Sequence, residues 1–177
     1  MVWSPYAEAA GRRGEAIASA YERHRGGRLE DISRGGDPRL SAVFAELHAI
    51  QPPRASADLI SRVGSEIRVI EVKSFARGGG DLTSRGRQVA TWRALGHNAW
   101  LYVVTNVMVR SEPDQLWLVR DPAASLPWTP AERRFADEGG RGHEGFLGCS
   151  IAEMREVGTL ADLDDVELPE PDLLSRR

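Results

Sequence analysis

The amino-acid sequence predicts an α/β fold in which helices flank a mixed β-sheet. Segments with the apolar spacing of helices alternate with shorter segments typical of strands, in the order α, α, β, β, α, β, β, α. The composition is that of a globular domain, because 41% of the 177 residues are apolar and 28% are charged. This balance excludes wholesale disorder, and the length suffices for one domain with its own core.

Two helices are predicted before the first strand, each from a capping residue that is followed by proline. The first begins at Ser4-Pro5 and ends near Gly26-Gly27. The second begins at Asp37-Pro38 and runs over residues 38–51, because Pro52-Pro53 ends it.

A β-hairpin is predicted next, with strands over residues 57–63 and 66–75 and a turn at Gly64-Ser65. Side chains alternate between the two faces of a strand. Glu71 and Lys73 are therefore expected on the same face of the second strand.

Turn residues separate the remaining predicted elements. They are a Gly-rich loop at 78–80, a helix from Thr83 or Ser84 to Leu95, strands over 98–109 and 115–120, a helix over 130–138, a loop over 139–145 and a helix capped by Ser150. We expect residues 1–158 to form one domain. Residues 159–177 contain six acidic side chains and two prolines, which predicts an acidic tail or a segment that binds a partner.

Charge is unevenly distributed, although the net charge of the chain is only −3. Residues 54–110 carry nine basic and four acidic side chains, whereas residues 111–177 carry seven basic and fifteen acidic ones. The middle of the chain can therefore face a polyanion, or the two parts can neutralise each other. The acidic total argues against a strongly basic DNA-binding protein, so we expect a protein partner or a second subunit to supply part of any DNA affinity.

Absent signals exclude several classes of protein. We expect a cytoplasmic protein without membrane contact, because the sequence has no run of about 18 apolar residues and no secretory signal. The single cysteine, Cys149, excludes an internal disulfide framework, and no Gly-x-Ser-x-Gly motif supports a serine hydrolase. Gly78-Gly79-Gly80 lacks the Gly-Lys-Ser/Thr of a P-loop. A Cys149 nucleophile acting with His143 stays open.

The residues that indicate chemistry are Asp58 and the segment Glu71-Val72-Lys73. Asp58 is on the first strand of the hairpin, so close pairing of the strands brings its carboxylate toward Glu71. Magnesium, or manganese, prefers oxygen ligands and keeps several waters, so these two carboxylates and the backbone carbonyl of Val72 suffice to hold it. The Lys73 ammonium can orient an attacking water and offset the charge that develops at phosphorus.

Lys73 is the only lysine among the 23 lysine and arginine residues of the chain. An ammonium is compact and shifts its pKa readily when it is desolvated, whereas a guanidinium stays protonated. Ile70, Val72 and Phe75 flank the lysine on its strand, where ions are rarely tolerated without partners. This pattern favours a functional site over an ordinary surface pair of Glu71 and Lys73.

Additional candidates lie on the helices around this strand. Glu15 shares one flank of the first helix with Glu8 and Glu22, where a solvated acidic stripe is an equal alternative. Gln88 follows the Gly-rich loop and can reach a metal-bound water, or it can lie on the surface. The arginines expected to contact phosphates of a nucleic acid are Arg77, Arg85, Arg87 and Arg93.

An ordered set of short motifs resembles the PD-(D/E)XK nuclease superfamily, and within it the family of the C-terminal domain of the plant protein NO VEIN and its bacterial relatives. The motifs cover about residues 11–128 and are Arg13-Gly14-Glu15, Ala57-Asp58-Leu59-Ile60-Ser61, Ile70-Glu71-Val72-Lys73, Leu82-Thr83, Leu95-Gly96 and the stretches 100–106 and 116–122.

The resemblance implies a restriction-endonuclease-like αβββαβ core with a mixed central sheet flanked by helices. It also implies Asp58 and Glu71 as metal ligands, Lys73 as the catalytic lysine and Glu15 as an acid on the first helix. The helix over residues 38–51 is an insertion relative to this core. The family often has Glu-Trp where this chain has Gln88 and valine, so no role of Gln88 is implied.

Three hypotheses follow, and the complete set of Asp58, Glu71 and Lys73 favours the first. It is a magnesium-dependent endonuclease that hydrolyses DNA phosphodiester bonds, for which the resemblance implies a role in bacterial defence against foreign DNA. The second is a catalytically silent nuclease-like module that binds nucleic acid or scaffolds a defence complex. The third is a small-molecule phosphohydrolase or an RNA-directed toxin on the same scaffold.

Overall fold

A computed structural model describes residues 5–34, 36–109, 111–131 and 145–170 of the chain. The α-helices and strands in these residues are α1 (Pro5–His24), β1 (Arg28–Asp31), α2 (Pro38–Glu46), β2 (Leu59–Val63), β3 (Glu66–Ser74), β4 (Asp81–Arg85), α3 (Gly86–Leu95), β5 (Ala99–Thr105), β6 (Gln115–Arg120), α4 (Pro122–Ser125), β7 (Thr129–Ala131), β8 (Phe146–Ser150), α5 (Ile151–Val157) and β9 (Thr159–Leu160). A 3-10 helix, Gly96–Asn98, joins α3 to β5.

The large sheet has six strands in the order β1-β2-β3-β5-β6-β9. Strands β3 and β5 are parallel, and all other neighbours in this sheet are antiparallel. Strands β4, β8 and β7 form a second, smaller sheet. The prediction of an α/β fold with a mixed sheet and flanking helices is thus confirmed.

Apolar residues pack on both faces of the large sheet. On one face, α1 buries Ile17 against Ile70 and Tyr102. On the other, α2 and α3 bury side chains such as Phe44 and Trp92 against the alternate residues of the same strands. The hairpin of β2 and β3 forms around the predicted turn, where Gly64 has φ 57°. Strand β2 begins at Leu59, two residues after its predicted start, so Asp58 lies just before the strand and not on it.

The prediction that Thr83 or Ser84 caps a helix is wrong. Both residues lie in β4, where they pair with β8 more than 60 residues further along the chain. Helix α3 instead begins at Gly86, and the backbone N–H of Arg85 before it donates to Gln88 Oε1 at 3.0 Å. Pairing with a distant strand overrides the local capping signal here.

The structure also differs from the predicted element boundaries. Helix α2 ends at Glu46, short of residue 51, and β5 ends at Thr105, short of residue 109. In both places a residue with positive φ turns the chain, at His48 (52°) and at Asn106 (66°).

Two further differences from the predicted elements concern segments without a clear apolar period. Strand β1 was not predicted, because its sequence Arg-Leu-Glu-Asp has a single apolar residue and its pairing with β2 determines its structure. The predicted helix over 130–138 starts within strand β7. The rest of that helix, and residues 139–144 of the predicted loop, lie outside the described residues.

The segment predicted as an acidic tail packs on the domain as far as it is described. It begins as β9, which pairs with β6 at the edge of the large sheet. Val166 is buried, and Leu168 packs against the core on the α1 side. Arg13 of α1 donates to the carbonyl of Pro169 and, at 2.6 Å, to Asp114. Residues 171–177 lie outside the described residues.

A buried polar network joins α1 to the sheet at the end far from the predicted site. The carboxylate of Glu22 is fully buried and accepts hydrogen bonds from the side chains of Arg25, Ser61, Arg68 and Tyr102. Four side chains from α1, the turn after it and the sheet converge on this one carboxylate, so the network fixes how α1 packs on the sheet.

Within the described residues, no helix has the length and apolar character needed to span a membrane.

Candidate active site

The hairpin brings Asp58, Glu71 and Lys73 to one end of the large sheet. Asp58 directly precedes β2, in which Leu59 pairs with Ile70 of β3. Glu71 and Lys73 follow on β3, where Glu71 is 4% exposed and the Lys73 side chain 24% exposed. The two carboxylates and the ammonium are therefore held by two adjacent, hydrogen-bonded strands.

Asp58 binds the backbone of β3 on both sides of Glu71. Its N–H donates to the carbonyl of Ile70 at 2.9 Å, and its Oδ2 accepts from the N–H of Val72 at 2.7 Å. The carbonyl of Asp58 also accepts from the N–H of Ile32 at 2.8 Å, just after β1. These bonds fix the carboxylate beside Glu71 through backbone contacts alone.

Gln88 joins Glu71 and Lys73 to the first turn of α3. Glu71 Oε1 accepts from Lys73 Nζ at 2.7 Å and also from Gln88 Nε2. Gln88 Oε1 accepts from the backbone N–H of Arg85 at 3.0 Å and from Lys73 Nζ at 3.5 Å. Of the two alternatives for Gln88, the structure therefore favours contact with the site, where it holds the carboxylate and the ammonium together.

The carboxyl group of Asp58 is strongly perturbed. Burial, followed by the negative charge of Glu71 and a smaller effect of Glu15, raises the pKa of Asp58 to about 8. The N–H of Val72 and the ammonium of Lys73 act in the opposite direction and do not cancel this effect. A nearby cation would relieve the unfavourable charge, and a strongly perturbed group of this kind is typical of functional sites.

Glu15 of α1 approaches the same place from the opposite face of the sheet. Burial, together with the charges of Asp31 and Glu71, raises its pKa. The preceding residue allows this approach, because a Cβ added to Gly14 would lie 1.7 Å from Ser74 Oγ on β3. Gly14 therefore lets α1 pack directly on the strand that carries Glu71.

The donor set fits a hard divalent cation that keeps most of its waters. Within the described residues, Asp58 Oδ1 and Glu71 Oε2 accept no hydrogen bond, so both oxygens are available as ligands. The same residues contain no group of three or more His, Cys, Asp or Glu side chains that could hold a metal ion. A cation here would depend on the two carboxylates, the carbonyl of Val72 and water.

The four arginines predicted to contact phosphates lie at different distances from this centre. Arg85 precedes α3 and binds Gln88 through its backbone, and Arg87 is half-buried in the first turn of α3. Arg77 is exposed in the loop after β3. Arg93 is exposed eight residues after Arg85, which places it about 12 Å further along the helix, so the structure does not bring it to the site.

The alternative cysteine site has no support. Cys149 is buried against the core, and burial followed by the charges of Glu153 and Asp81 raises the pKa of its thiol to about 11. The thiolate that a nucleophile requires is therefore scarce near neutral pH. His143 lies outside the described residues.

Sequence reasoning missed Asp31 as a neighbour of the site. It ends β1, and its charge is the largest charge effect on Glu15. Only recognition of β1 as the strand beside β2 could have placed it there.

Comparison of the chain with family models, with curated proteins and with solved structures gives no match.

Proposed function

We propose that this protein is a metal-dependent nuclease, an endonuclease that hydrolyses DNA phosphodiester bonds with Mg²⁺ or Mn²⁺. One observation carries the proposal. The carboxylate of Asp58, whose pKa is raised by burial and then by the charge of Glu71, and the carboxylate of Glu71 lie beside the only lysine of the chain at two paired strands. This combination suits cleavage at phosphorus, which needs a cation, an oriented water and a nearby positive charge.

The order of the elements supports the proposal. When α2 and β4 are set aside, α1, β1, β2, β3, α3 and β5 occur in the order α, β, β, β, α, β that the resemblance expects of a restriction-endonuclease-like core. Helix α2 lies between β1 and β2, and β4, which belongs to the smaller sheet, lies between β3 and α3. Glu71 and Lys73 lie on β3 and Asp58 directly precedes β2, an arrangement that supports the proposal drawn from the PD-(D/E)XK resemblance.

In this proposal each residue has a separate task. Asp58 and Glu71, with the carbonyl of Val72, hold the ion, which supplies Lewis-acid chemistry and lowers the pKa of a bound water. Lys73 orients the attacking water and offsets the negative charge that develops on the phosphate. Gln88 hydrogen-bonds to both Glu71 and Lys73 and so holds the carboxylate and the ammonium next to each other.

The proposed setting is a bacterial cytoplasm, where the protein would act in defence against foreign DNA. Because the chain is acidic overall, a protein partner or a second copy would supply part of the DNA affinity. A plaque assay with cells that express the wild-type chain or the Lys73→Ala variant tests this role, since only the active protein should lower plaque numbers.

Plasmid cleavage with Mg²⁺, with Mn²⁺ and with EDTA tests the activity. The variants are Lys73→Ala and Glu71→Gln, and Glu8→Gln is the matched control because Glu8 is exposed on α1. We expect cleavage to fall at least about 100-fold in the two site variants and to stay unchanged in the control. Metal-dependent cleavage that survives both site substitutions refutes the catalytic assignment.

The silent nuclease-like module is the second candidate. One observation favours it, since the described residues contain no group of three or more His, Cys, Asp or Glu side chains that could hold a metal ion. Wild-type protein that binds DNA and cuts it under no metal condition would support this function in place of the first.

A further inference from the structure

Three clefts on the described part of the chain differ in the charge of their walls. The cleft of about 720 Å³ beside α1 has four carboxylates and two arginines, so it repels phosphate. A second, of about 350 Å³, has one arginine and one carboxylate among the side chains around it. A third, of about 460 Å³, lies between α2 and α3 and has two arginines, Arg54 and Arg87, with a single carboxylate, Asp37.

The carboxylate in the third cleft does not oppose an anion. Both oxygens of Asp37 bind Arg39: Oδ1 accepts from the backbone N–H and from Nε at 2.9 Å each, and Oδ2 accepts from Nη2. The charges of Asp37 and Arg39 cancel, and Arg54 then supplies a positive charge that no other carboxylate lining the cleft offsets. The cleft therefore presents net positive charge although the chain as a whole is acidic.

Arg54 stands in a backbone conformation that arginine rarely adopts. Its φ is 57°, and the turn is closed by the N–H of Ala55, which donates to the carbonyl of Pro52 at 3.2 Å. Glycine or asparagine fits such a position at lower cost. A long cationic side chain kept at a strained position indicates a task for that side chain.

The cleft directly adjoins the candidate active site along two segments of the chain. Ser56, which lines the cleft, is two residues before Asp58, so their backbones are at most about 7 Å apart. Arg87 directly precedes Gln88, which binds Glu71. The hydroxyl oxygen of Ser56 is buried and has no hydrogen-bond partner in the described part of the chain, so it can still donate to a ligand oxygen.

We propose that this cleft binds a backbone phosphate of the DNA strand near the phosphate that is cleaved, with Arg54 as its main cation. Ser56 and Arg87 of the cleft adjoin Asp58 and Gln88 of the site along the chain, so one DNA strand can contact both. The inference rests on the proposed function. It assigns the inserted segment that contains α2 to substrate binding.

The test uses Arg54→Gly, which removes the cation and relieves the backbone strain. Arg28→Ala is the matched control, because Arg28 is an exposed arginine at the end of β1 far from the site. Affinity for one DNA duplex is measured in EDTA by fluorescence anisotropy over a series of salt concentrations. We expect Arg54→Gly to bind about tenfold more weakly, with a salt slope lower by about 0.9, the value for one lost phosphate contact.

Two further measurements make the result decisive. Arg54→Gly should be at least as stable as the wild type in urea, which separates lost binding from lost folding. A duplex in which single phosphates are replaced one at a time by uncharged methylphosphonates should show one position that weakens wild-type binding but leaves the variant unaffected. Arg54→Gly binding that matches Arg28→Ala in affinity and slope overturns the proposal.

Failure of this inference is distinguishable from failure of the proposed function. If Arg54→Gly binds and cuts DNA as the wild type does, while Glu71→Gln abolishes metal-dependent cutting, the cleft assignment is wrong and the nuclease stands. If the wild type cuts under no condition but Arg54→Gly loses affinity, the cleft binds DNA in a protein that is not a nuclease.

Discussion

Asp58→Asn should stabilise the protein near neutral pH while it abolishes metal binding. The wild-type carboxyl has a pKa of about 8 in the folded state, against about 3.9 when unfolded. An amide keeps the shape of the side chain, and its oxygen still accepts from the N–H of Val72. The substitution therefore removes the unfavourable charge and keeps the bond to the backbone.

The magnitude follows from the raised pKa. A carboxyl with a raised folded pKa contributes stability that is complete below its unfolded pKa and is lost as the pH rises through the folded one. A pH of 7 is about 3 units above the unfolded pKa. At 1.36 kcal/mol per unit, the free energy of unfolding of the wild type is therefore about 4 kcal/mol lower at pH 7 than below the unfolded pKa. Asp58→Asn should escape this loss, so its advantage over the wild type should grow from pH 4 to pH 8.

The assay is urea unfolding of both proteins at pH 4, 5, 6, 7 and 8, each with and without Mg²⁺. The difference between the two proteins isolates Asp58, because the other titrating groups are common to both. Asp37→Asn is a control of opposite sign, since hydrogen bonds from Arg39 lower the pKa of Asp37 to about 2. Its carboxylate contributes stability above the unfolded pKa, which that variant should lack.

Magnesium provides the link to function. A ligand that binds only the folded state raises its stability by about 2.7 kcal/mol at 100 times its Kd. At pH 8 Mg²⁺ should stabilise the wild type and leave Asp58→Asn unchanged. A stability difference between the two proteins that does not change from pH 4 to pH 8 refutes the raised pKa of Asp58. Equal stabilisation of both proteins by Mg²⁺ refutes Asp58 as a metal ligand.

Three other predictions concern packing and reactivity. Gly14→Ala should lower the free energy of unfolding in urea by about 1–3 kcal/mol, because its Cβ would meet Ser74. Gly11→Ala, which has nothing within 4 Å of its added Cβ, should leave that free energy unchanged. Equal effects of the two substitutions would contradict the close approach of α1 to β3. Glu22→Gln should cost about 3–5 kcal/mol in the same assay, since it leaves two guanidinium groups without their buried carboxylate, and a neutral result would contradict the network. Cys149 should react with a thiol reagent at pH 7.5 only after unfolding in urea, so rapid reaction of the folded protein would contradict its burial and raised pKa.

The sequence by itself predicted the hairpin and the group of residues on it. Alternation along β3 placed Glu71 and Lys73 on one face, and a two-residue turn aligned Asp58 with them. Both inferences depend only on the period of a strand and on short-range pairing. The N-caps of α2 and α5 were predicted for the same reason, since Asp37 and Ser150 cap residues only two or three positions away.

Only the tertiary structure decided what reaches the site from elsewhere in the chain. The pairing of β4 with β8 joins two segments that lie far apart in the sequence. The position of Asp31 beside Glu15 and the hydrogen bond from Gln88 to Glu71 depend on how separate elements pack together. Their physical cause is packing between distant elements, which has no local period. The perturbed carboxyl of Asp58 belongs to this class, because burial by the folded chain is its largest cause.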